Sequence, residues 1–195
     1  MSLAVVEQLR GQITALQGGP TRLGLPMLPM FEGLVQLRTG GSYAVDSASL
    51  AMALAAGASR AGEWIGFAGW GDFGVEAAHQ LGIDLSRTVV VPAPGEHWLE
   101  VTAALIDVLK VVVLRPAGGV DAKSASILDA RLRARSGVLV VHGDWPRADA
   151  RLSALGSEWS GVGQGRGRLR SRRMRVAVEA MGRPHARDLD FPLVG

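Results

Sequence analysis

Between residues 41 and 141, short apolar runs alternate with longer stretches of helical periodicity. This alternation restricts the possible folds more than any other feature of the chain. The apolar runs are Ser42–Val45, Trp64–Ala68, Thr88–Val91, Val111–Leu114 and Val138–Val141. Between them, Ser49–Ala61, Val75–Leu81, His97–Leu109 and Ala122–Arg135 carry the helical pattern. A run such as VVVL lacks polar alternation, which suits a strand covered on both faces. Strands of that kind separated by helices predict an α/β fold, three-layered, with a mostly parallel central sheet. No internal repeat is visible.

The flanks read differently. Residues 3–17 place Val5, Val6, Leu9, Ile13 and Leu16 three and four apart, which predicts an amphipathic helix stopped by Gly18, Gly19 and Pro20. Residues 20–38 interleave Pro20, Pro26 and Pro29 with Leu25, Met27, Leu28, Met30 and Phe31. That composition suits a connector. Its apolar side chains are candidates for a partner-facing arm, and equally for an arm tucked over the core. The expected organisation is an N-terminal helix and arm over residues 1–38, followed by one core over residues 39–195. Past residue 156 the pattern shifts again. Trp159 to Gly167 reads as a glycine-rich turn, and Arg168 to Met181 alternates. Arg168, Arg170 and Arg172 share one face; after an extra residue, Arg173, the residues Met174, Val176 and Val178 share a face opposite Arg175. This predicts an antiparallel C-terminal hairpin at the sheet edge.

Charge separates the two halves. Residues 1–100 carry 5 basic and 9 acidic side chains, whereas residues 101–195 carry 16 and 9. The excess peaks in GVGQGRGRLRSRRMRV, residues 161–176, where Arg166, Arg168, Arg170, Arg172, Arg173 and Arg175 stand without an acid. These six are candidates for binding DNA or an acidic partner. No Phe, Tyr or Trp lies between Trp159 and Phe191, so the local sequence offers no interleaved rings for base stacking. The chain has no cysteine, which removes disulfides and thiolate metal sites. No signal-peptide pattern and no run of 18 apolar residues is evident, so no membrane span is expected.

Few patterns point to chemistry. GWGDFG, Gly69 to Gly74, fits G-x-G-x-x-G between a strand and a helix, the setting of a dinucleotide fingerprint. The following strand, however, runs Thr-Val-Val-Val-Pro and ends without the acid that would hold a ribose. A plain glycine turn explains the motif as well. His79, His97, His142 and His185 lack metal-ligand spacing, so no metal site is expected. His142 and Asp144 end a strand with no nucleophile elbow nearby.

The stretch from Gly57 to Pro116 carries a resemblance. Its GEWIGFAG, its Leu81-Gly82-Ile83-Asp84 turn, its Gly95-Glu96-His97-Trp98-Leu99-Glu100 helix start and its KVVVLRP strand resemble the RecA core in order and spacing. The whole chain, including the closing GRGRLRSRRMRVAVEAMGR, is similar to the actinobacterial ImuA-type proteins of the SOS mutagenesis cassette, within the RecA/SulA superfamily. The resemblance implies a RecA-like fold. It also implies an accessory role in translesion synthesis beside an ImuB-like Y-family polymerase homologue and, indirectly, an error-prone C-family polymerase. Self-association and a cytoplasmic location, nucleoid-associated on recruitment, are implied with it. Three ATPase parts of that family are missing. Asp46-Ser47-Ala48-Ser49 stands in place of a phosphate-binding loop and has no lysine. The catalytic glutamate position falls near Trp70, with Asp72 the nearest acid. Leu114-Arg115-Pro116 replaces the acid that should end its strand. A chain that is not an enzyme and holds no cofactor is therefore expected. The alternatives are a nucleotide- or dinucleotide-binding protein using Gly69–Gly74 and a SulA-like inhibitor of cell division.

Overall fold

The five apolar runs form five parallel strands. These are β1 (Gly41–Val45), β2 (Ile65–Ala68), β3 (Thr88–Val91), β4 (Val111–Leu114) and β5 (Val138–His142). The structure is a computed structural model that describes residues 22–163, 166–180 and 183–191. The helix predicted over residues 3–17 lies outside the described residues. Three further strands follow, β6 (Ala150–Gly163), β7 (Arg166–Ala180) and β8 (Arg183–Phe191), and all eight join one sheet in the order β3-β2-β4-β5-β1-β6-β7-β8. β6 runs parallel to β1, while β7 is antiparallel to both β6 and β8.

Alternate residues of the parallel strands feed two separate cores. Tyr43, Val45, Ile65, Phe67, Val111, Val113, Val138 and Val140 point to one side. Ala44, Ala68, Val112, Leu114, Leu139 and Val141 point to the other. Helices α1 (Ala48–Arg60) and α2 (Val75–Gln80) contribute to the first layer, and α3 (Trp98–Val108) and α4 (Ala122–Arg135) to the second. The expected α/β architecture with a mostly parallel sheet is therefore present, and the apolar runs are covered on both faces as their composition requires.

Local chemistry sets the helix ends. Asp121 caps α4 by accepting from the Lys123 and Ser124 amides at 2.9 Å, and Ser136 closes it in the left-handed conformation. Arg131 and Arg135 of α4 both reach Asp107 of α3, at 2.8 and 3.1 Å, joining the two helices of that layer. Helix α1 is rich in Ala and Leu, good helix formers, and every residue from Leu50 to Ser59 is buried. Its outer face is covered by residues 25–37. Leu25, Leu28, Phe31, Leu34 and Leu37 of that segment lie in the first core with α1. Gly57 is the crossing point. A Cβ there would sit 2.5 Å from both the Met27 Cα and the Pro26 carbonyl oxygen.

The expected antiparallel hairpin is present at the sheet edge, and it is longer than its pattern predicts. Trp159 to Gly163 is not a turn but the end of β6, and β8 was not foreseen, so the predicted two-stranded hairpin is a three-stranded antiparallel extension. The glycines and serines of ARLSALGSEWSGVG obscure a strand that is held by long pairing with β7. The extra residue of the ladder also lies elsewhere. One irregularity falls at Leu155 of β6, between the pairs Ala154–Val176 and Gly156–Arg175, where Leu155 is exposed, and a second lies between Ser160–Ser171 and Val162–Gly167, at residues 168–170 of β7. The β7–β8 register runs unbroken from Arg172–Phe191 to Ala180–Arg183. Arg172 therefore shares a face with Met174, Val176 and Val178, and Arg173 turns outward with Arg175.

Candidate nucleic-acid and partner interface

Where β1 meets α1, only Asp46 and Ser47 intervene. The Asp46 amide donates to the Leu152 carbonyl at 3.3 Å, and its Oδ1 accepts from the Ala154 amide at 2.8 Å. The Gly143 amide donates to the Val45 carbonyl at 2.8 Å. The junction is thus stitched to β6 on one side and to the end of β5 on the other. The amides of Asp46 and Ala154 bond within the protein, and a carboxylate occupies the position where a phosphate cradle would need donors.

Next to it, the ends of β2, β4 and β5 bring Trp70, Asp72, Arg115 and His142 together. Arg115 Nη1 meets Asp72 Oδ1 at 2.8 Å, and the guanidinium lies over the Trp70 ring at 5.1 Å. Trp70 is buried, with the His142 ring 5.6 Å away and its Nε1–H without a partner among the described residues. The hydrogen bond from Arg115 holds the Asp72 carboxyl below the usual carboxylate range. A carboxylate stabilised as an anion in this way is a poor proton acceptor. Asp72, the acid nearest the catalytic-glutamate position that the RecA resemblance marks at Trp70, is thus paired with Arg115, which stands at the end of β4 where that resemblance would put the other acid.

In GWGDFG only the first glycine is sterically required. Gly69 has φ +80°, and a Cβ there would collide with the Arg115 carbonyl. Gly71 has only the Pro92 carbonyl oxygen, 3.8 Å away, and Gly74 has the Ala77 Cβ at 3.5 Å. Both are ordinary contacts that would accept a side chain. The helix that follows, α2, has six residues. The motif closes a turn against β4. Among the described residues no group of three His, Asp or Glu side chains could hold a metal ion. No helix among them is long and apolar enough to cross a membrane.

The apolar arm candidates are committed to the interior. Leu25, Leu28 and Phe31 are buried, and Met27 and Met30 are half-buried against the same core. The arm is pinned at both ends. Gln36 Nε2 donates to the Leu25 carbonyl at 2.7 Å, and Arg22 bonds Asp149 at 3.0 Å. Of the two uses open to these side chains, intramolecular packing is the one the fold makes.

The arginine strand divides into two faces. Arg173 meets Asp190 at 3.0 Å and Arg175 meets Asp188 at 3.5 Å, both across the β7–β8 ladder. The segment that looked acid-free in sequence thus acquires carboxylates from β8, a partner invisible until pairing is known. Arg170 is exposed and has no ion pair among the described residues. Arg166 and Arg168 lie in β7, but their side chains are outside the described set. Arg172 points the other way, toward α1. Its Nη1 donates to Ser49 Oγ at 2.7 Å, and its guanidinium lies 4.9 Å from the Trp159 ring and 5.4 Å from that of Phe191. Trp159, Arg172 and Phe191 are directly opposite one another across β6, β7 and β8. The expectation of no aromatic interleaving fails for this reason. The rings are distant in sequence but adjacent across strands, a juxtaposition set by register.

A family model for the MT3502 N-terminal domain matches residues 29–147, from the second half of the arm through β5. Over 156 residues the chain is 37% identical to Uncharacterized protein Rv3395c of Mycobacterium tuberculosis (strain ATCC 25618 / H37Rv), spanning 76% of this chain and 75% of that one. With the matched span covering more than half of the chain, from β1 to β5 and from α1 to α4, the chain belongs to the MT3502 N-terminal domain family.

Proposed function

We propose that this protein is a non-catalytic, RecA-like adaptor in DNA-damage-induced mutagenesis, working through its surfaces on an ImuB-like Y-family polymerase homologue and, through it, on an error-prone C-family polymerase. The observation that carries this reading is the β1–α1 junction. Asp46 is bonded to β6 through both its amide and its carboxylate, and that carboxylate stands where a nucleotide's phosphates would need amides and a lysine. The Asp72–Arg115 pair supports it, because it engages the acid nearest the second missing ATPase position with the arginine that stands at the third. The RecA-like assignment is supported by the order of elements over the resembling stretch. A strand, a short helix, the Leu81–Asp84 turn, a strand ending at a proline, a helix and an apolar strand follow one another as that core requires.

The test is a pull-down of the tagged chain from DNA-damaged host cells, with nuclease added so that shared DNA does not carry proteins along. Recovery of a Y-family-like protein together with a C-family polymerase is expected. ATP hydrolysis that depends on DNA and tracks the chain through purification would overturn the adaptor reading. Recovery of a cell-division protein in place of polymerases would move the assignment to a SulA-like regulator.

A further inference from the structure

Arg172 is a cation held almost entirely by uncharged groups. Its Nη1 and Nη2 donate to Ser49 Oγ and Ser157 Oγ, at 2.7 and 3.4 Å. Its Nε–H is buried without a partner, and no carboxylate pairs with it among the described residues. Two of its five N–H donors are therefore used. Its neighbours Arg173 and Arg175 each have an aspartate, so the lack of a counter-anion is specific to this face. Burial also pulls the Arg172 guanidinium below its ordinary value, a sign that the charge is partly stripped of water with nothing negative in return. Beside it Trp159 is 51% exposed on the same face of the sheet, with Arg172 between it and Phe191.

An exposed ring directly next to an under-satisfied guanidinium suits a ligand carrying a flat aromatic group and a phosphate within a few ångströms of each other. Every nucleotide of an unpaired strand has both, whereas in a duplex the base faces are already stacked. An acidic protein surface would satisfy the charge and leave the indole without a use. We propose that Trp159 and Arg172 form a stacking platform for single-stranded nucleic acid, with a base on the indole and the adjoining phosphate on the guanidinium. Arg170, exposed two residues before Arg172 at the register shift of β7, adds a second positive charge near the platform. This extends the adaptor reading and rests on it only in taking surface, not a nucleotide pocket, as the working part.

The experiment is a fluorescence-anisotropy titration of the full chain against a labelled oligothymidylate, at low and moderate salt. The wild type is expected to bind, and Trp159→Ala to weaken binding about tenfold or more. Trp159→Phe should restore most of the affinity, and Arg172→Gln should weaken binding and flatten the salt dependence. Arg131→Gln on α4, remote from this face, should leave affinity unchanged. Circular dichroism confirms that each variant is folded. Because Arg172 also packs against α1, the Trp159 pair decides the case if Arg172→Gln unfolds. Failure of the wild type to bind at low salt would overturn the platform. So would an affinity indifferent to Trp159→Ala, or displacement of the oligonucleotide by polyglutamate of equal charge, which would mark an acidic-partner surface. Partner recovery in the pull-down is a separate measurement, so the platform and the adaptor role fail separately.

Discussion

Gly69 and Asp129 show how single residues answer to surroundings that their sequence neighbours do not reveal. Gly69 has a positive φ and sits against the Arg115 carbonyl, so Gly69→Ala adds backbone strain to a steric collision. A loss of about 2–4 kcal/mol is expected in urea unfolding, whereas Gly71→Ala and Gly74→Ala should stay within about 1 kcal/mol. Asp129 is half-buried on α4, where it accepts from Trp145 Nε1 at 3.4 Å. Desolvation, with a smaller contribution from Asp149, raises its pKa. A raised carboxyl pKa favours the protonated group in the fold. The stability it contributes is complete below the unfolded value of about 4 and is lost as pH rises through the higher folded value. Asp129→Asn should therefore raise Tm by about 1–2 °C at pH 8 and by nothing near pH 3.5, read by a thermal melt at both pH values. The residue types at these positions were legible in sequence. Their roles were not, since each depends on an atom at least 16 positions away in the chain.

The helices and parallel strands were legible because each announces itself locally. Thr88–Val91, Val111–Leu114 and Ala122–Arg135 have in the structure the bounds their patterns predict. Of the C-terminal strands, β7 and its antiparallel pairing were legible from alternation, whereas β6 was not, because it is held by a ladder to β7 and carries little strand propensity of its own. The arm over α1 falls between these cases. Its apolar residues were evident, and its destination became clear only from Gly57. In an isolated helix Gly57→Ala would be stabilising by about 1 kcal/mol. Here the added methyl meets backbone atoms of Met27 and Pro26, which cannot rotate away, so the clash prevails. A net loss of about 1–2 kcal/mol is expected, with protease cuts appearing between residues 22 and 38. On β7, the double change Arg168→Glu and Arg170→Glu should lower oligonucleotide affinity at least about tenfold and reduce its salt slope, with the circular dichroism spectrum unchanged. An unchanged affinity would leave this end of the strand as solvated surface.

For the molecule as a whole, the sheet's parallel half was readable and its strand order was not. Apolar runs state that strands are buried but not which neighbours they take, and that order decides what lies beside the β1–α1 junction. Placing β6 next to β1 is what lets Ala154 and Leu152 close the junction through Asp46. A ligand that binds only the native state raises Tm, so millimolar ATP, NAD or NADP should leave the melting curve where it is. A rise of several degrees with any of them would reopen the pocket reading. The helix that follows that junction has its own implication for how relatives diverge. From Leu50 to Ser59 α1 has no residue facing water, so nearly every substitution there must pass through the packing of the sheet below and the arm above. Drift should therefore be slow along this helix even with no ligand to select for. Invariance there among relatives would record the tightness of a three-layer sandwich, and it should not be mistaken for the footprint of a surviving nucleotide site.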